Sequence, residues 1–364
     1  MSLVLILFSF SSCCNEQRYT EEVYSTLKIS EVRPSLVSDK HESEGIVLTM
    51  PDGEIWNFFR VDDGVYWRHA SNSGAIYKRY SLDNAETWSE PELLIDDPSC
   101  DDRNIGGGMT DDGDIIIFYR RYKLNYINGA LTGNTIDVNY LISHDHGETF
   151  SKRIPLNGIK KLPMRFISAG HNKYYIPLYD EDSEIRTFSV SGDSVAFSSN
   201  AYIFKGNNLE EPELSMDNGK IVCLFRSDFG KGGLYQCVST DNGKTFSDAI
   251  QTNIISDMHT SLPCFFFERK YTHKAWVIVG DRKVDSSDSK LWIYNCSFDS
   301  IVRSSQTYLL YKSIDRPKPS KYMLYGYPTV TLMKNGKYLV LFTETHNDGN
   351  ENADIYQFTM EPLK

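Results

Sequence analysis

The sequence predicts an all-β protein arranged as a six-bladed β-propeller. Three observations carry that prediction. A hairpin followed by a tight polar turn recurs along the chain at a period of roughly 50 residues, the mark of a repeat architecture. Aromatic residues make up 13 % of the 364 residues, with 23 Tyr among them, a composition that suits strands. No long apolar stretch has the 3.6-residue period of a helix.

The hairpins come first. MPDGEIWNFFR ends at Arg60, TDDGDIIIFYR at Arg120 and MDNGKIVCLFR at Arg226. KNGKYLVLFTE ends at Glu344, and weaker versions are HNKYYIPLYD, ending at Asp180, and KYTHKAWVIVGDR, ending at Arg282. Asn-Gly and Asp-Gly between apolar runs are strong turn signals, because both residues tolerate positive φ. The closing turns are Ser81–Trp88, Ser143–Phe150 and Ser239–Phe246, with degenerate copies at Ser191-Gly192-Asp193 and Ser297-Phe298-Asp299. In each full copy an Asp side chain can accept bonds from nearby backbone N–H groups. One such unit cannot bury both its faces, so six closing into a ring is the natural solution. The expected blades are Glu44–Ser89, Arg103–Lys152, Arg165–Ser198, Glu211–Ser247, His259–Asp299 and Tyr327–Thr359. Lys28–Val37 is a candidate extra strand that pairs with the last blade and closes the ring. The connection Gln306–Tyr325 is expected to cross the mouth.

Residues 1–26 read as a signal and tether, and 27–364 as the propeller domain. Leu3–Phe10 is apolar but too short to span a bilayer, and small residues lead into Cys13. That arrangement resembles a bacterial lipobox with Cys13 acylated; an ordinary secretory signal is the other reading. Either implies export to the periplasm or cell surface, with membrane contact only through the lipid. Asn15–Thr26 is the polar tether.

A net charge of −11 argues against nucleic acid or an anionic membrane as a partner. Cys223, Cys237, Cys264 and Cys296 lie on predicted strands and read as buried thiols. The histidines show no zinc spacing, Gly106-Gly107-Gly108 precedes a strand rather than a helix, and Asp348–Asp354 lacks calcium-loop spacing. No metal or cofactor is therefore expected, and the chain is expected to be a monomer.

In a propeller the innermost strands converge on the axis. Counting back from each hairpin turn gives one ring of residues: Glu44, Arg103, Arg165, Glu211, His259 and Tyr327. A second ring is formed by Arg60, Arg120, Asp180, Arg226, Arg282 and Glu344 at the ends of the second strands. Together they predict an ionised mouth.

The octapeptide Ser-x-Asp-x-Gly-x-Thr-Trp/Phe resembles the Asp-box of the sialidase superfamily, also called the bacterial neuraminidase repeat. The resemblance covers Glu44 to the C-terminus, with one Gly-to-Ala variant at Ala85. It implies a sialidase-like fold with the Asp-boxes on the rim, away from the site. EPELSMDNGKIVCLFRS is similar to the family segment that supplies an activating glutamate and a carboxylate-binding arginine, here Glu211 and Arg226. YGYPTV followed by KNGKYLVLFTE resembles the tyrosine-nucleophile segment, which places the nucleophile at Tyr327. Glu344 falls where the family orients an arginine. FFRVDDG resembles the end of the first blade, which suggests Arg60 with Asp62 or Asp63 as acid/base. A carboxylate can take the proton of a tyrosine, a poor nucleophile while neutral, and a tyrosine nucleophile is a recognised exception among glycosidases. Arginines would bind a substrate carboxylate bidentately. The chain departs from the family where an Arg-Ile-Pro-like segment should precede the first blade: Glu42 or Glu44 stands there. Arg103 or Arg165 could substitute, and Arg282 or Lys290 is available for the remaining arginine. The expected function is an exported, exo-α-sialidase-like glycoside hydrolase acting on a terminal sugar of a glycan. A non-catalytic glycan-binding propeller is the alternative.

Overall fold

The computed structural model describes residues 22–23, 27–63, 71–127, 130–180, 182–206, 209–227, 233–254, 259–268, 274–282, 290–298, 304–312, 325–345 and 352–363. Cys13 and most of the tether, residues 313–324 of the expected connection Gln306–Tyr325 and most of the Asp348–Asp354 loop lie outside them; residues 306–312 belong instead to a strand, Ser304–Lys312, which corrects that part of the expected connection.

Every regular element among these residues is a strand. The first antiparallel meander is His41–Thr49, Ile55–Asp62, Ala75–Ser81 and Glu92–Ile95. The second is Asp101–Met109, Ile115–Ile127, Ala130–Ser143 and Ile154–Pro155. In the third, the innermost strand is split into Leu162–Pro163 and Ile167–Ser168, followed by Tyr174–Tyr179, Ser183–Ser191 and Ser194–Phe204. The fourth is Leu209–Asp217, Lys220–Ser227, Leu234–Ser239 and Ile250–Gln251. The next splits its inner strand into His259–Thr260 and Cys264–Glu268, before Lys274–Arg282, Lys290–Cys296 and Ser304–Lys312. The last is Tyr325–Leu332, Tyr338–Thr345 and Ala353–Pro362.

The chain start completes this last meander: Leu27 pairs with Pro362, and Arg33 with Gln357. A single parallel bridge from Ala353 to His41 then joins it to the first meander. Hydrogen bonding among the described residues therefore gives five sheets, one of ten strands, in a propeller-like arrangement. This corrects the expectation of six separate blades. His41 of the first meander and Ala353 of the last share a backbone bridge, so the first and last sheets merge.

Apolar side chains fill the space between neighbouring meanders. Trp56 and Phe58 pack with Ile117 and Tyr119, Phe118 with Tyr174 and Phe188, and Ile185 with Ile221 and Phe225. Leu224 meets Val277, Trp276 and Ile278 meet Phe342 and Phe358, and Leu339 and Leu341 return to Val47 and Ile55. Each fully buried large side chain of this kind contributes about 1.5–3 kcal/mol. Both faces of the second strand of each meander are thus covered, which is why these segments read as continuous apolar runs.

The Asp-box turns supply a polar joint between meanders. In each box the Asp carboxylate is held by the preceding Ser and the following Thr, as in Ser239 Oγ to Asp241 at 2.8 Å and Thr245 Oγ1 to Asp241 at 2.6 Å. The turn's own carbonyls face outward. Each is taken by a side chain of the preceding meander: Ala85 O by Gln357, Gly147 O by Lys78 and Asn242 O by Tyr175. Asp193 O and Phe298 O, in the two degenerate copies, accept likewise from Tyr140 and Lys220. The repeated octapeptide is therefore a staple between neighbouring meanders.

Candidate functional site

One backbone irregularity organises the axial mouth. Ser43 pairs with Arg60 but Ile46 with Phe58, so Glu44 and Gly45 are extruded as a bulge. The same shift separates Arg103 from Gly106, Glu210 from Glu213, and Gly326 from Thr329. The first extruded residue has positive φ each time: 52° at Glu44, 55° at Asn104, 51° at Glu211 and 50° at Tyr327. Asn tolerates that region, whereas Glu and Tyr in it are strained. A bulge re-aims a side chain out of the pleat, here toward the axis.

Asn104, not Arg103, is the true counterpart of Glu211 and Tyr327, which corrects the ring counted from the sequence by one residue. Arg165 and His259 also leave that ring, because their inner strands are interrupted. Arg165 lies between two strand fragments, and only the backbone of His259 is described, paired with Arg282. The Arg282 side chain lies outside the described residues.

The ionic groups converge in pairs. Arg60 is 0 % exposed, with Nε and Nη2 donating to Asp101 at 2.8 and 2.9 Å and Nη1 against Asp62. Burial lowers its pKa, but Asp101 and Asp62 outweigh that and hold it above the ordinary value. Asp63, half-buried, accepts from Ser71 Oγ at 2.9 Å. Arg103 Nη2 donates to Glu44 at 2.7 Å, and the other Glu44 oxygen accepts from the Asn104 N–H at 2.6 Å. Arg226 bridges Glu211 (2.5 Å) and Glu210 (2.6 Å). Arg165 pairs with Glu213 at 2.9 Å, and burial pushes that carboxyl up to about 7. Glu344 is fully buried opposite Tyr325.

Tyr327 is buried with Leu162, Met164, Tyr179 and Leu262. Burial raises the Tyr179 pKa well above the ordinary value, and Glu211, Arg120, Arg226 and Tyr327 also act on it. Arg103 in turn feels Glu44, Asp101, Arg60 and Tyr327. Tyr327, Glu211, Arg226 and Arg103 therefore share one mouth. The Arg165–Glu213 pair belongs to a different space, a cavity of about 520 Å³ further along the axis toward the hairpin turns, lined also by Leu214, Phe265 and Phe266.

Sequence reasoning missed Asp101, Glu210, Asn104 and Tyr179. Asp101 had a usable signal: it lies two residues before Arg103, hence on the same strand face. Tyr179 had none, since an aromatic at a strand end is ordinary core.

Fold and mouth together define a sialidase-like propeller. Residues 25–340 match the BNR repeat-like domain, and the chain belongs to that family. Solved structures agree at the level of fold. A protein of unknown function from Dyadobacter fermentans superposes with a TM-score of 0.71 at 14 % identity, over 91 % of this chain and 99 % of that one. A variant of the NanB sialidase of Streptococcus pneumoniae gives 0.65 at 15 %, over 88 % and 68 %. The intramolecular trans-sialidase of Ruminococcus gnavus gives 0.62 at 11 %, over 89 % and 94 %. No curated protein matches at a significant level.

Proposed function

We propose that the chain is an exported glycoside hydrolase of sialidase-like fold that cleaves a terminal sugar from a glycan at this mouth. The observation that carries the reading is the shared strain. Glu211 and Tyr327 both sit at positive φ on equivalent bulges and both act on Tyr179. Backbone strain of this kind persists where the surroundings over-determine it, which is usual at functional sites.

Glu211 removes the Tyr327 proton as the phenolic oxygen attacks the anomeric carbon. Arg226, bonded to Glu211 and Glu210, fixes the direction of that carboxylate. A proton donor is needed for the leaving oxygen. Asp63 suits the role better than Asp62, because Asp62 is committed to buried Arg60 while Asp63 is half-buried and bonded to a neutral hydroxyl. Arg60 and Arg103 then act as supports of the mouth, each already bound to a carboxylate. The alternative, a non-catalytic glycan-binding propeller, is favoured by one observation: where the family has its first arginine, this chain carries Glu42 or Glu44, and Glu44 is bonded to Arg103.

A screen against aryl-glycosides of sialic acid, uronic acids and arabinose, followed by Tyr327→Phe, separates the two. The enzyme reading expects Tyr327→Phe to lose most of kcat with its thermal midpoint nearly unchanged, since only one oxygen is deleted. Wild-type turnover in Tyr327→Phe removes the mechanism; ligand binding without turnover in the wild type favours the binding protein.

Two further parts of the proposal concern architecture and address. The ten-stranded sheet comprises two blades joined at the Ala353–His41 bridge, for a total of six, because apolar clusters lie on both sides of that junction. Cys13 carries a lipid after removal of residues 1–12. Cys13→Ser should abolish detergent partitioning in a bacterial host, and a mature N-terminus elsewhere rejects lipidation.

A further inference from the structure

Arg165, below the mouth, is joined to four meanders besides its own. It stands in the gap between the two inner-strand fragments of the third meander. Its Nε lies 2.9 Å from Glu213 Oε1 and donates to Oε2 at 3.1 Å, in the fourth meander. Its Nη1 donates to the Pro328 carbonyl of the last meander at 3.4 Å and lies 3.9 Å from Cys264 Sγ of the fifth. Its backbone is pinned to the second. Gly107 and Arg165 form a parallel bridge, in which the Gly107 N–H donates to Met164 O at 3.1 Å and the Phe166 N–H to Gly107 O at 3.2 Å. A Cβ on Gly106 would lie 2.3 Å from the Pro163 carbonyl, so a side chain there would hold the two backbones apart.

The partners are particular points on their meanders. Glu213 is the residue at which the ladder resumes after the bulge that extrudes Glu211. Pro328 is the second residue of the bulge that begins with Tyr327. Arg165 therefore ties together the two bulges that carry Glu211 and Tyr327. Packing alone does not account for this arrangement. The cavity around the pair is lined largely by apolar residues such as Leu214, Phe265, Phe266 and Val330, and Arg165 Nη2 is buried with no hydrogen-bond partner among the described residues. Apolar groups of the same volume are often as stabilising as a buried ion pair, or more so. What the guanidinium adds is direction, because its donors leave a rigid plane at fixed angles.

We propose that Arg165, held by Glu213, is a positioning residue that fixes the Tyr327 bulge against the Glu211 bulge. It acts through the Pro328 carbonyl and the Glu213 side chain. The inference rests on the Glu211–Tyr327 reading of the mouth. It also makes the mouth sensitive to pH. Burial pushes the Glu213 carboxyl up to about 7, although Arg165 pulls it down. The other titratable groups that act on the pair among the described residues are thiols. Burial pushes Cys264 up to about 12 and raises Cys223 well above its ordinary value, so neither ionises near neutrality. Above about 7 Glu213 is ionised and holds Arg165; as pH falls through that value it takes a proton and the brace slackens.

The test reads Tyr327 directly and needs no substrate. In protein carrying 13C-labelled tyrosine, the Tyr327 ring resonance is the one that Tyr327→Phe removes. In the wild type it should shift with a midpoint near pH 7, and Glu213→Gln should abolish that step. A double variant, Arg165→Met with Glu213→Leu, replaces the pair by apolar groups and should displace the resonance while leaving the thermal midpoint little changed. Arg165→Lys keeps the charge but has a single nitrogen, which cannot serve Glu213 and Pro328 together, so it should displace the resonance too. Absence of the step in the wild type, an unchanged step in Glu213→Gln, or a resonance at the wild-type position in the folded double variant overturns the assignment. If the double variant does not fold, an unmoved resonance in Arg165→Lys overturns it. With a substrate in hand, Arg165→Lys should lower kcat by roughly ten- to a hundredfold with KM nearly unchanged, the scale of a misplaced reacting group. A loss confined to KM counts against positioning. Turnover by Tyr327→Phe would remove the catalytic reading and leave the resonance shifts standing, whereas unmoved resonances would remove the brace and leave that reading intact.

Discussion

Asp101→Ala tests whether the buried ionic cluster holds the mouth together. The Asp101 carboxylate is 0 % exposed and accepts two bonds from Arg60 and one from the Ser71 N–H at 3.0 Å, with Arg103 Nη1 at 3.6 Å. Removing it leaves Arg60 fully buried against Asp62 alone and strips the acceptor from Ser71. Breaking a buried pair by deleting one partner costs about 3–5 kcal/mol, whereas a surface pair is worth about 0–1. Unfolding entropy of about 2.1 cal/mol/K per residue gives a chain of this length roughly 0.7–0.8 kcal/mol/K, so the midpoint should fall by ~4–7 °C. Equilibrium urea unfolding monitored by tryptophan fluorescence measures the loss directly. Gly74→Ala should act in the same direction, because an added Cβ would lie 1.9 Å from Asp101 Oδ1. A loss below about 1 kcal/mol in Asp101→Ala would show that Asp62 suffices for Arg60 and would refute the clamp.

Three other outcomes are expected. Hydrogen bonds from Thr87 hold Asp83 at about 2, and at Asp145 the Thr149 and Ser143 bonds overcome partial burial to give about 2 as well. Both values lie below the unfolded value near 3.9, so their stabilisation is present above about pH 4 and lost as pH falls toward 2; Asp145→Ala should flatten that acid limb in thermal melts. His144 has its two ring nitrogens on Asp114 (2.9 Å) and Asp193 (3.0 Å), which raise its pKa. Its contribution is therefore present below about 6.5 and lost as pH rises through the raised value, and an NMR titration of Asp193→Asn should show the His144 midpoint moving down. At Tyr327, Gly should be better tolerated than Ala by about 1 kcal/mol, the reverse of the usual strand preference, because φ is 50°; Ala equal to or better than Gly in urea unfolding would deny the strain.

The fold was legible because its punctuation is local. Asp52-Gly53, Asp112-Gly113, Asn218-Gly219 and Asn335-Gly336 mark turns, and the structure gives positive φ at Gly53, Gly113, Gly219 and Gly336. The Ser-x-Asp-x-x-x-Thr spacing likewise fixes its own hydrogen bonds within eight residues. The merging of the first and last meanders was not legible, since it depends on a backbone bridge between His41 and Ala353, far apart in sequence. The site was legible in part. Glu211 and Arg226 meet because they flank one hairpin, a short-range relation. Arg60 was read as a substrate ligand because nothing nearby in sequence reveals Asp101, 41 positions on, which fills its guanidinium. Counting from the turns also placed Arg103 where Asn104 stands: Asn104 precedes Asp112 by the same interval as Glu44 precedes Asp52 and Tyr327 precedes Asn335, and the charged Arg103 one position earlier drew the assignment away from a neutral Asn.

That last error indicates where function resides in a repeat protein of this kind. The apolar alternation, the hairpin turns and the Asp-box staples are nearly interchangeable from one meander to the next, so they carry architecture and no identity. The bulge is repeated too, but its occupants are not: Glu44, Asn104, Glu211 and Tyr327 have one backbone geometry and four different chemical settings. Only Asn is suited to that geometry; the other three violate local preference at the mouth. Natural chains break local rules mainly where function compensates. Arg120 follows the same logic in electrostatic form. Its repeat position is shared with Arg60 and Arg226, yet it alone of the three lacks a carboxylate among the described residues. In each case the departure from the repeat, judged against the repeat itself, marks the residue whose role the scaffold does not explain.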